Sequence, residues 1–256
     1  MRHSTAIIHP NAKLADDVEV GAYSIIGEHV EVGSGTVIGP HVVIKGHTRI
    51  GQHNQISQFC SLGEIPQDKK YANEPTRLEI GDHNTIREFC TFNLGTAQDV
   101  GVTRVGNHNW IMAYVHLAHD CQVGNHTIFA NNAQLAGHVE VDDYAILGGF
   151  TVVHQFVKIG AHIITGMGSI LFQDVPTYML VAGNPCAPHG INSEGLKRRG
   201  FSSASIMAIK RAYKMLYKSG LSFEDAKLAI QAELPEHAEL QPLVDFLAST
   251  NRGIVR

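Results

Sequence analysis

The chain has 256 residues, a formal net charge of −4 and 44% hydrophobic residues. This charge gives no general attraction to nucleic acid, and no apolar run approaches the length that crosses a membrane. The first residues, MRHSTAIIHP, lack the apolar core of a signal peptide. A cytoplasmic protein without stable membrane insertion is therefore expected.

A six-residue period governs the first two thirds of the chain. Every sixth residue from Ile8 to Leu62 is a branched aliphatic, and the period returns from Ile80 to Phe92 and from Val105 to Ile159. Small or medium residues recur two positions earlier, and Gly often follows the aliphatic. This hexapeptide repeat predicts a left-handed parallel β-helix over residues 1–190, with the aliphatic inside and Gly helping the chain turn. Prisms of this kind commonly associate as trimers, so a homotrimer is expected.

Two interruptions of the period predict insertions, at residues 64–77 (EIPQDKKYANEPTR) and 95–104 (GTAQDVGVTR). Loops that leave a regular scaffold often carry binding groups, although tolerated surface insertions are equally compatible with these sequences. The four cysteines have no CxxC spacing and are expected to be reduced core residues.

Helical spacing replaces the hexapeptides near the C-terminus. Apolar residues predict helices over 203–218, 223–234 and 240–248, within a helical unit that spans 191–256. Such a unit would cap the end of the β-helix.

Histidines on neighbouring hexapeptides provide the strongest chemical signal. His116, His119, His138 and His154 would lie on adjacent coils, and Asp120 follows His119. A neutral imidazole held by a carboxylate can accept a proton from a hydroxyl, so His119 is the candidate general base. Neighbouring residues on a strand point to opposite faces, so contact between His119 and Asp120 requires a corner or a local distortion.

Three alternatives use the same features. The histidines could bind zinc, as in hexapeptide-repeat carbonic anhydrases; the chain could be an acetyl-CoA-dependent acetyltransferase; or it could be an inactive scaffold. The polar residues that accompany the histidines suit a large anionic substrate better than a bare metal centre; they are Gln67, Asp68, Lys70, Tyr71, Gln155, Asn192, Glu194, Lys197, Arg198 and Arg199.

The motifs together resemble the bacterial UDP-N-acetylglucosamine O-acyltransferases, the family that begins lipid A synthesis. The resemblance covers essentially the whole chain and is carried by QDKKYANEPTR, HLAHDC, NNAQLAGHVEVDDYAILGG, VHQF, QDVPTY and NSEGLKRRGFS. The related N-acyltransferases carry an extra N-terminal domain, whereas the period here begins almost at Met1.

The resemblance implies transfer of an (R)-3-hydroxyacyl chain from acyl carrier protein to the glucosamine 3-hydroxyl. By this resemblance His119 is the base, Asp120 its partner, and the Gly137 N–H the oxyanion donor. The expected substrate-binding residues are Gln67, Asp68, Lys70, His116, His138, His154, Gln155, Asn192, Glu194, Arg198 and Arg199. No cofactor, metal or acyl-enzyme is expected.

The resemblance also implies a contact with acyl carrier protein and a limit on the acyl chain. Acyl carrier protein is acidic, and the basic residues that could face it are Lys197, Arg198, Arg199, Lys210, Arg211, Lys214 and Lys218. For Lys214 and Lys218, an ordinary solvated helix face is an equal alternative. Met167 replaces a Gly found in members that take longer chains. It predicts a donor of about ten carbons, since each excluded CH₂ forgoes about 0.8 kcal/mol. Alternatively, Met167 is a core filler.

Overall fold

Each hexapeptide of the repeat forms one side of a triangular coil. The computed structural model describes residues 1–250 and 252–256. Short strands follow one another around the coil and pair in parallel with the strands one coil away, which builds three sheets along a left-handed parallel β-helix. The predicted fold class is therefore confirmed.

Each sheet collects every third strand up to Ile170–Leu171, and the last strand of sheet 3, Ala187–Ile191, pairs antiparallel with Met179–Ala182. Sheet 1 contains Ile7–Ile8, Ile25–Ile26, Val43–Ile44, Ser61–Glu64, Thr91–Asn93, His116–Leu117, Gln134–Leu135, Val152–Val153 and Ile170–Leu171. Sheet 2 contains Lys13–Leu14, Glu31–Val32, His47–Ile50, Arg77–Ile80, Val102–Val105, Gln122–Val123, Glu140–Val141 and Lys158–Ile159. Sheet 3 contains Glu19–Val20, Val37–Ile38, Gln55–Ile56, Thr85–Ile86, Trp110–Ile111, Ile128–Phe129, Ile146–Leu147, Ile164–Thr165, Met179–Ala182 and Ala187–Ile191.

The inward aliphatics form one continuous core. Residues such as Ile44, Leu62 and Leu117 are fully buried, and the small residues two positions earlier fill the remaining space. All four cysteines are free and buried, as expected. Ile8 and Leu14 are only partly buried because they lie in the first coil, which has no coil beyond it.

The corners are turned by residues that the period alone does not mark. Three positions after the inward aliphatic, side chains such as Tyr23, His83 and Phe156 have φ near +60°. The Gly residues next to the aliphatic have a different role: a Cβ on Gly21 would lie 2.5 Å from the carbonyl carbon of Gly39 in the neighbouring coil. We call the corner between sheets 1 and 2 the first corner, that between sheets 2 and 3 the second, and that between sheets 3 and 1 the third.

Both predicted insertions leave the prism at the first corner. Strands extend into each of them, so that residues 65–76 and 94–101 remain outside the sheets. The two loops lie on consecutive coils, directly before the coil that carries HLAHD.

Helices follow the last sheet strand. They are α1 (Ser193–Arg198), α2 (Ser203–Tyr217), α3 (Phe223–Ala232), a 3₁₀ turn (Ala238–Leu240) and α4 (Gln241–Ser249). The predicted apolar face of α2 is buried at Ile209, Tyr213 and Leu216. The chain end returns to the β-helix, where the N–H of Val255 donates to the carbonyl of Asp174. Within residues 1–250 and 252–256, none of the helices combines the length and apolarity needed to cross a bilayer.

Candidate active site

Asp120 lies at the first corner, where its carboxylate binds both His119 and the second insertion. Its side chain is fully buried, and its Oδ2 accepts hydrogen bonds from Thr96 Oγ1 at 2.6 Å and from His119 Nδ1 at 3.0 Å. The backbone N–H of Thr96 donates to both carboxylate oxygens at 3.0 Å. Burial raises the pKa of Asp120, but the hydrogen bonds from His119 and Thr96 outweigh burial and hold the pKa below its ordinary value. Asp120 is therefore an ionised anchor for His119.

The contact between adjacent residues is possible because Asp120 occupies the corner. Its φ of 60° turns the backbone immediately after His119, so the two side chains converge instead of pointing to opposite faces. The N–H of Asp120 donates to Thr103 Oγ1 at 2.8 Å, which fixes this turn.

Gly137 lies against the His119 ring. A Cβ added to Gly137 would lie 2.5 Å from His119 Cε1 and 2.7 Å from Nε2. The N–H of Gly137 has no acceptor among the residues that the structure describes. The structure thus brings together the predicted base, its carboxylate and the predicted oxyanion donor.

Three further predicted histidines surround this corner. His138 lies one coil beyond Asp120, with its ring edge-on to His119 at 4.9 Å between ring centroids. His116 lies on the outer face of sheet 1, where its Nδ1 is 2.7 Å from Thr91 Oγ1, and burial lowers the pKa of its imidazole. His154 and Gln155 follow the strand Val152–Val153 toward the same corner.

The predicted residues of the first insertion lie in the loop that leaves this corner. The backbone N–H of Lys70 donates to Asp68 Oδ1 at 2.9 Å, and the side chains of Gln67 and Lys70 extend into solvent. Asn93 Nδ2 donates to the carbonyl of Ile65 at 3.0 Å, which attaches the base of this loop to sheet 1.

Asn192, Glu194, Arg198 and Arg199 lie elsewhere in the single chain, beside the second corner. Arg199 donates to the carbonyl of Tyr144 at 2.9 Å, and its guanidinium lies 5.1 Å from the centroid of that ring. Tyr144 is a residue of the second corner, whereas Asp120 and His138 belong to the first. One chain therefore presents the predicted site residues in two separate groups.

Besides Arg199, two members of this second group, Asn192 and Glu194, have intramolecular partners. The amide oxygen of Asn192 caps α1 by accepting from the Gly195 N–H at 3.1 Å, and its Nδ2 donates to the carbonyl of His162 at 2.9 Å. Glu194 pairs with Lys197 at 2.8 Å. Arg198 is exposed at the end of the same helix.

Met167 is not a core filler. It lies beside the third corner with 81% of its surface exposed, and its Cγ is 3.9 Å from where a Cβ on Gly149 would lie. Its side chain projects from the surface of the prism.

A metal could use some of the same atoms. One ligand atom from each of His119, Asp120 and His138 lies within 4.8 Å of the others. However, Asp120 Oδ2 already accepts hydrogen bonds from His119 and Thr96, so a metal at this point would have to displace them. The donor set fits an oriented imidazole better than a metal centre.

Sequence reasoning missed two partners, Thr96 and Asp99, both in the second insertion. Thr96 binds Asp120, and Asp99 Oδ2 lies 2.5 Å from His138 Nδ1. The only signal for either was the insertion itself, because the loop has no period from which side-chain positions could be read.

Comparison with known proteins identifies the family. Residues 174–255 match the family described as UDP-N-acetylglucosamine O-acyltransferase, domain 2, and residues 103–137 match the bacterial transferase hexapeptide family. The chain is 64% identical over 254 residues to the acyl-[acyl-carrier-protein]–UDP-N-acetylglucosamine O-acyltransferase of Thiobacillus denitrificans, covering 99% of this chain and 98% of the relative. The chain belongs to the UDP-N-acetylglucosamine O-acyltransferase family.

Solved structures of this O-acyltransferase family have the same fold. The Acinetobacter baumannii structure has a TM-score of 0.97 and 49% identity, and it covers 100% of this chain and 99% of its own. The Francisella novicida UDP-N-acetylglucosamine acyltransferase has a TM-score of 0.98 and 42% identity, covering 100% and 94% of the two chains. The resemblance read from the sequence motifs is confirmed.

Proposed function

We propose that this O-acyltransferase moves an (R)-3-hydroxyacyl chain from acyl carrier protein to the 3-hydroxyl of UDP-N-acetylglucosamine, in the cytoplasm, as the first step of lipid A synthesis. The observation that carries the proposal is the convergence of His119, Asp120 and Gly137 at one corner. An oriented imidazole beside a free backbone N–H is what hydroxyl acylation requires.

The proposed chemistry starts with proton removal by His119. Asp120 engages Nδ1, so Nε2 accepts the proton of the sugar hydroxyl while its oxygen attacks the thioester carbonyl. The Gly137 N–H donates to the oxyanion that forms. When the C–S bond breaks, the imidazolium returns the proton to the departing thiolate of acyl carrier protein. No covalent acyl-enzyme is formed.

We propose that a homotrimer completes the substrate site. Gln67, Asp68, Lys70, His116, His138, His154 and Gln155 would contact the sugar and diphosphate from one subunit. Asn192, Glu194, Arg198 and Arg199 lie at a different corner, so they would reach the nucleotide of a site on a neighbouring subunit. A guanidinium fork suits phosphate oxygens in geometry and charge.

Acyl carrier protein would dock against the basic residues near α1 and α2. Lys210 and Lys214 are exposed on the face of α2 opposite its buried side, and Lys218, which directly follows the helix, is also exposed. Arg211 is less available because its guanidinium lies 3.5 Å from Glu233. A complementary basic surface would speed association with the acidic carrier protein.

Transfer assays with a ladder of 3-hydroxyacyl carrier proteins, read by mass, test the proposed reaction. UDP-N-acetylglucosamine is the acceptor, and acetyl-CoA is the control donor. A nucleotide-sugar ester formed only with carrier-protein donors, and lost in His119→Ala, is the expected result. Full activity in His119→Ala would contradict the assignment of the base and direct attention to His138 or His154.

The acyl-length proposal rests on Met167, and the same ladder tests it. We expect the wild-type product to peak near a ten-carbon chain, because the exposed Met167 side chain would close the far end of the acyl groove. Met167→Gly should shift the peak to longer chains. An unchanged peak in this variant would show that Met167 does not limit the length of the acyl chain. The assignment of the reaction would be unaffected.

We propose that no metal or other cofactor takes part, because Asp120 already holds His119 through hydrogen bonds. Elemental analysis of the purified, active enzyme tests this directly. Stoichiometric zinc whose removal abolishes transfer would overturn it.

A further inference from the structure

We propose that Asp99 in the second insertion is a positioning residue for the acyl transfer, acting through His138. The proposal rests on the proposed function, in which His138 contacts the sugar. The observation behind it is the hydrogen bond between Asp99 Oδ2 and His138 Nδ1, at 2.5 Å.

The His138 ring is held by contacts with Phe156, His119 and Asp99. One face stacks on Phe156, with centroids 4.3 Å apart and an interplanar angle of 6°. The ring of His119 meets it edge-on, and its backbone N–H donates to the carbonyl of His119 at 3.0 Å. Packing fixes where the ring lies, and the carboxylate of Asp99 fixes which nitrogen faces the protein.

This contact determines the hydrogen-bonding role that His138 offers to a substrate. A carboxylate only accepts hydrogen bonds, so Nδ1 must carry the hydrogen. In the neutral ring Nε2 is then an acceptor, suited to a sugar hydroxyl. Asp120 Oδ2 lies 3.9 Å from the same Nδ1, too far to replace Asp99 without movement.

Asp99 and Thr96 act as one unit. The N–H of Asp99 donates to the carbonyl of Thr96 at 3.3 Å, which closes a short turn. One end of this turn holds Asp120, and the other end holds His138 one coil further along the prism. The second insertion thus sets the orientation of both histidines that face each other at the first corner.

Kinetics of Asp99→Ala, Asp99→Asn and the control Val100→Ala test the proposal in the full-length protein. Val100 is the exposed neighbour of Asp99, so its truncation controls for a general change in the loop. We expect Asp99→Ala to raise KM for UDP-N-acetylglucosamine about tenfold, because small misplacement of a binding group has effects of this order or larger. KM for acyl carrier protein should stay unchanged. Asp99→Asn should recover part of the loss, because its amide oxygen can still accept from Nδ1.

A double-mutant cycle distinguishes action through His138 from any other role. In a His138→Ala background, Asp99→Ala should have no further effect on KM for the sugar nucleotide. An undiminished effect there, or a wild-type KM in Asp99→Ala, would overturn the proposal.

Nitrogen NMR of the His138 ring tests the contact independently of activity. The wild-type ring should carry its hydrogen on Nδ1, and Asp99→Ala should give a mixture of tautomers. An unchanged tautomer in Asp99→Ala would overturn the inference. If wild-type protein fails to transfer acyl chains while the tautomer responds to Asp99, the proposed function fails and the positioning contact stands.

Discussion

Asp120 combines two roles that are usually assigned to different residues. Its backbone turns the corner with a φ of 60°, and its buried carboxylate holds His119. Asp tolerates this left-handed conformation better than most side chains. The corner therefore places the proposed base and its carboxylate partner at neighbouring positions in sequence, with Thr96 completing the hydrogen bonds of the carboxylate.

Gly137→Ala should damage catalysis far more than stability. The added methyl group would lie 2.5 Å from His119 Cε1, so the imidazole must move away from Asp120 or from the substrate. We expect kcat to fall about a hundredfold or more. Overpacking should cost about 1–3 kcal/mol in the free energy of unfolding. Steady-state kinetics and denaturant unfolding of the same preparation measure both effects.

Gly149→Ala is the matched control for this substitution. Gly149 has the same position in its hexapeptide, but an added Cβ would meet its nearest atom at 3.4 Å, an ordinary contact. Its kcat should stay within about threefold of wild type. Comparable kcat values for the two alanine variants would show that contact with His119 does not explain the need for Gly137.

A column of stacked rings runs along the second corner and contains five of the sixteen histidines. The centroids of successive rings lie 4.8–5.7 Å apart. The rings of the column belong to His53, His83, His108, His126, Tyr144, His162 and Tyr178. All the histidines in this column are thus corner residues of the scaffold. The helical segment joins the column through Phe201, whose ring meets His162 edge-on at 5.3 Å.

His162 should make the protein less stable in mild acid. Burial, assisted by the nearby Arg199, lowers the pKa of His162 to about 4. Histidine in the unfolded chain titrates near pH ~6.5, so between these values the unfolded state binds more protons. The free energy of unfolding should therefore decrease as the pH falls from about 6.5 to about 4, and His162 adds no further decrease below that range.

His162→Phe should weaken this acid dependence. Phe already stands at the same turn position of two other corners, as Phe150 and Phe156. The substitution also removes the buried Nδ1 of His162, which lacks a hydrogen-bond partner among the described residues. Thermal melts at pH 7.5 and pH 5 measure the effect, with Tyr144→Phe as a control that keeps the histidine and the stack. An equal loss of Tm in wild type and His162→Phe would refute this explanation.

The period predicted the elements but not the contacts between them. Inward positions such as Leu117 and the helix face of α2 follow from spacing alone, because burial imposes a regular pattern. The residues that bind Asp120 and His138 do not follow from spacing, because Thr96 and Asp99 lie in a loop whose path is set by hydrogen bonds to other coils. Likewise, Asn192 caps a helix with the same amide that the family resemblance assigns to the substrate.

One chain holds the two groups of predicted site residues at separate corners of the prism. His119 belongs to the first corner, whereas Arg198 is the last residue of α1, which lies beside the second corner. A triangular prism can bring such corners together only between copies, and a cyclic trimer does so three times with identical contacts. The separation of the two groups is thus a structural reason to expect that activity depends on assembly.

Mixing two inactive variants tests this dependence. His119→Ala lacks the proposed base and Arg198→Ala lacks the proposed phosphate contact, so each homotrimer should have little activity. In trimers formed randomly from equal amounts, roughly one quarter of interfaces pair an intact His119 with an intact neighbouring Arg198. Co-refolded mixtures should therefore recover roughly one quarter of wild-type kcat. Unmixed homotrimers combined without refolding provide the control, and recovery no greater than the average of the two variants would mean that both groups serve a site within one chain.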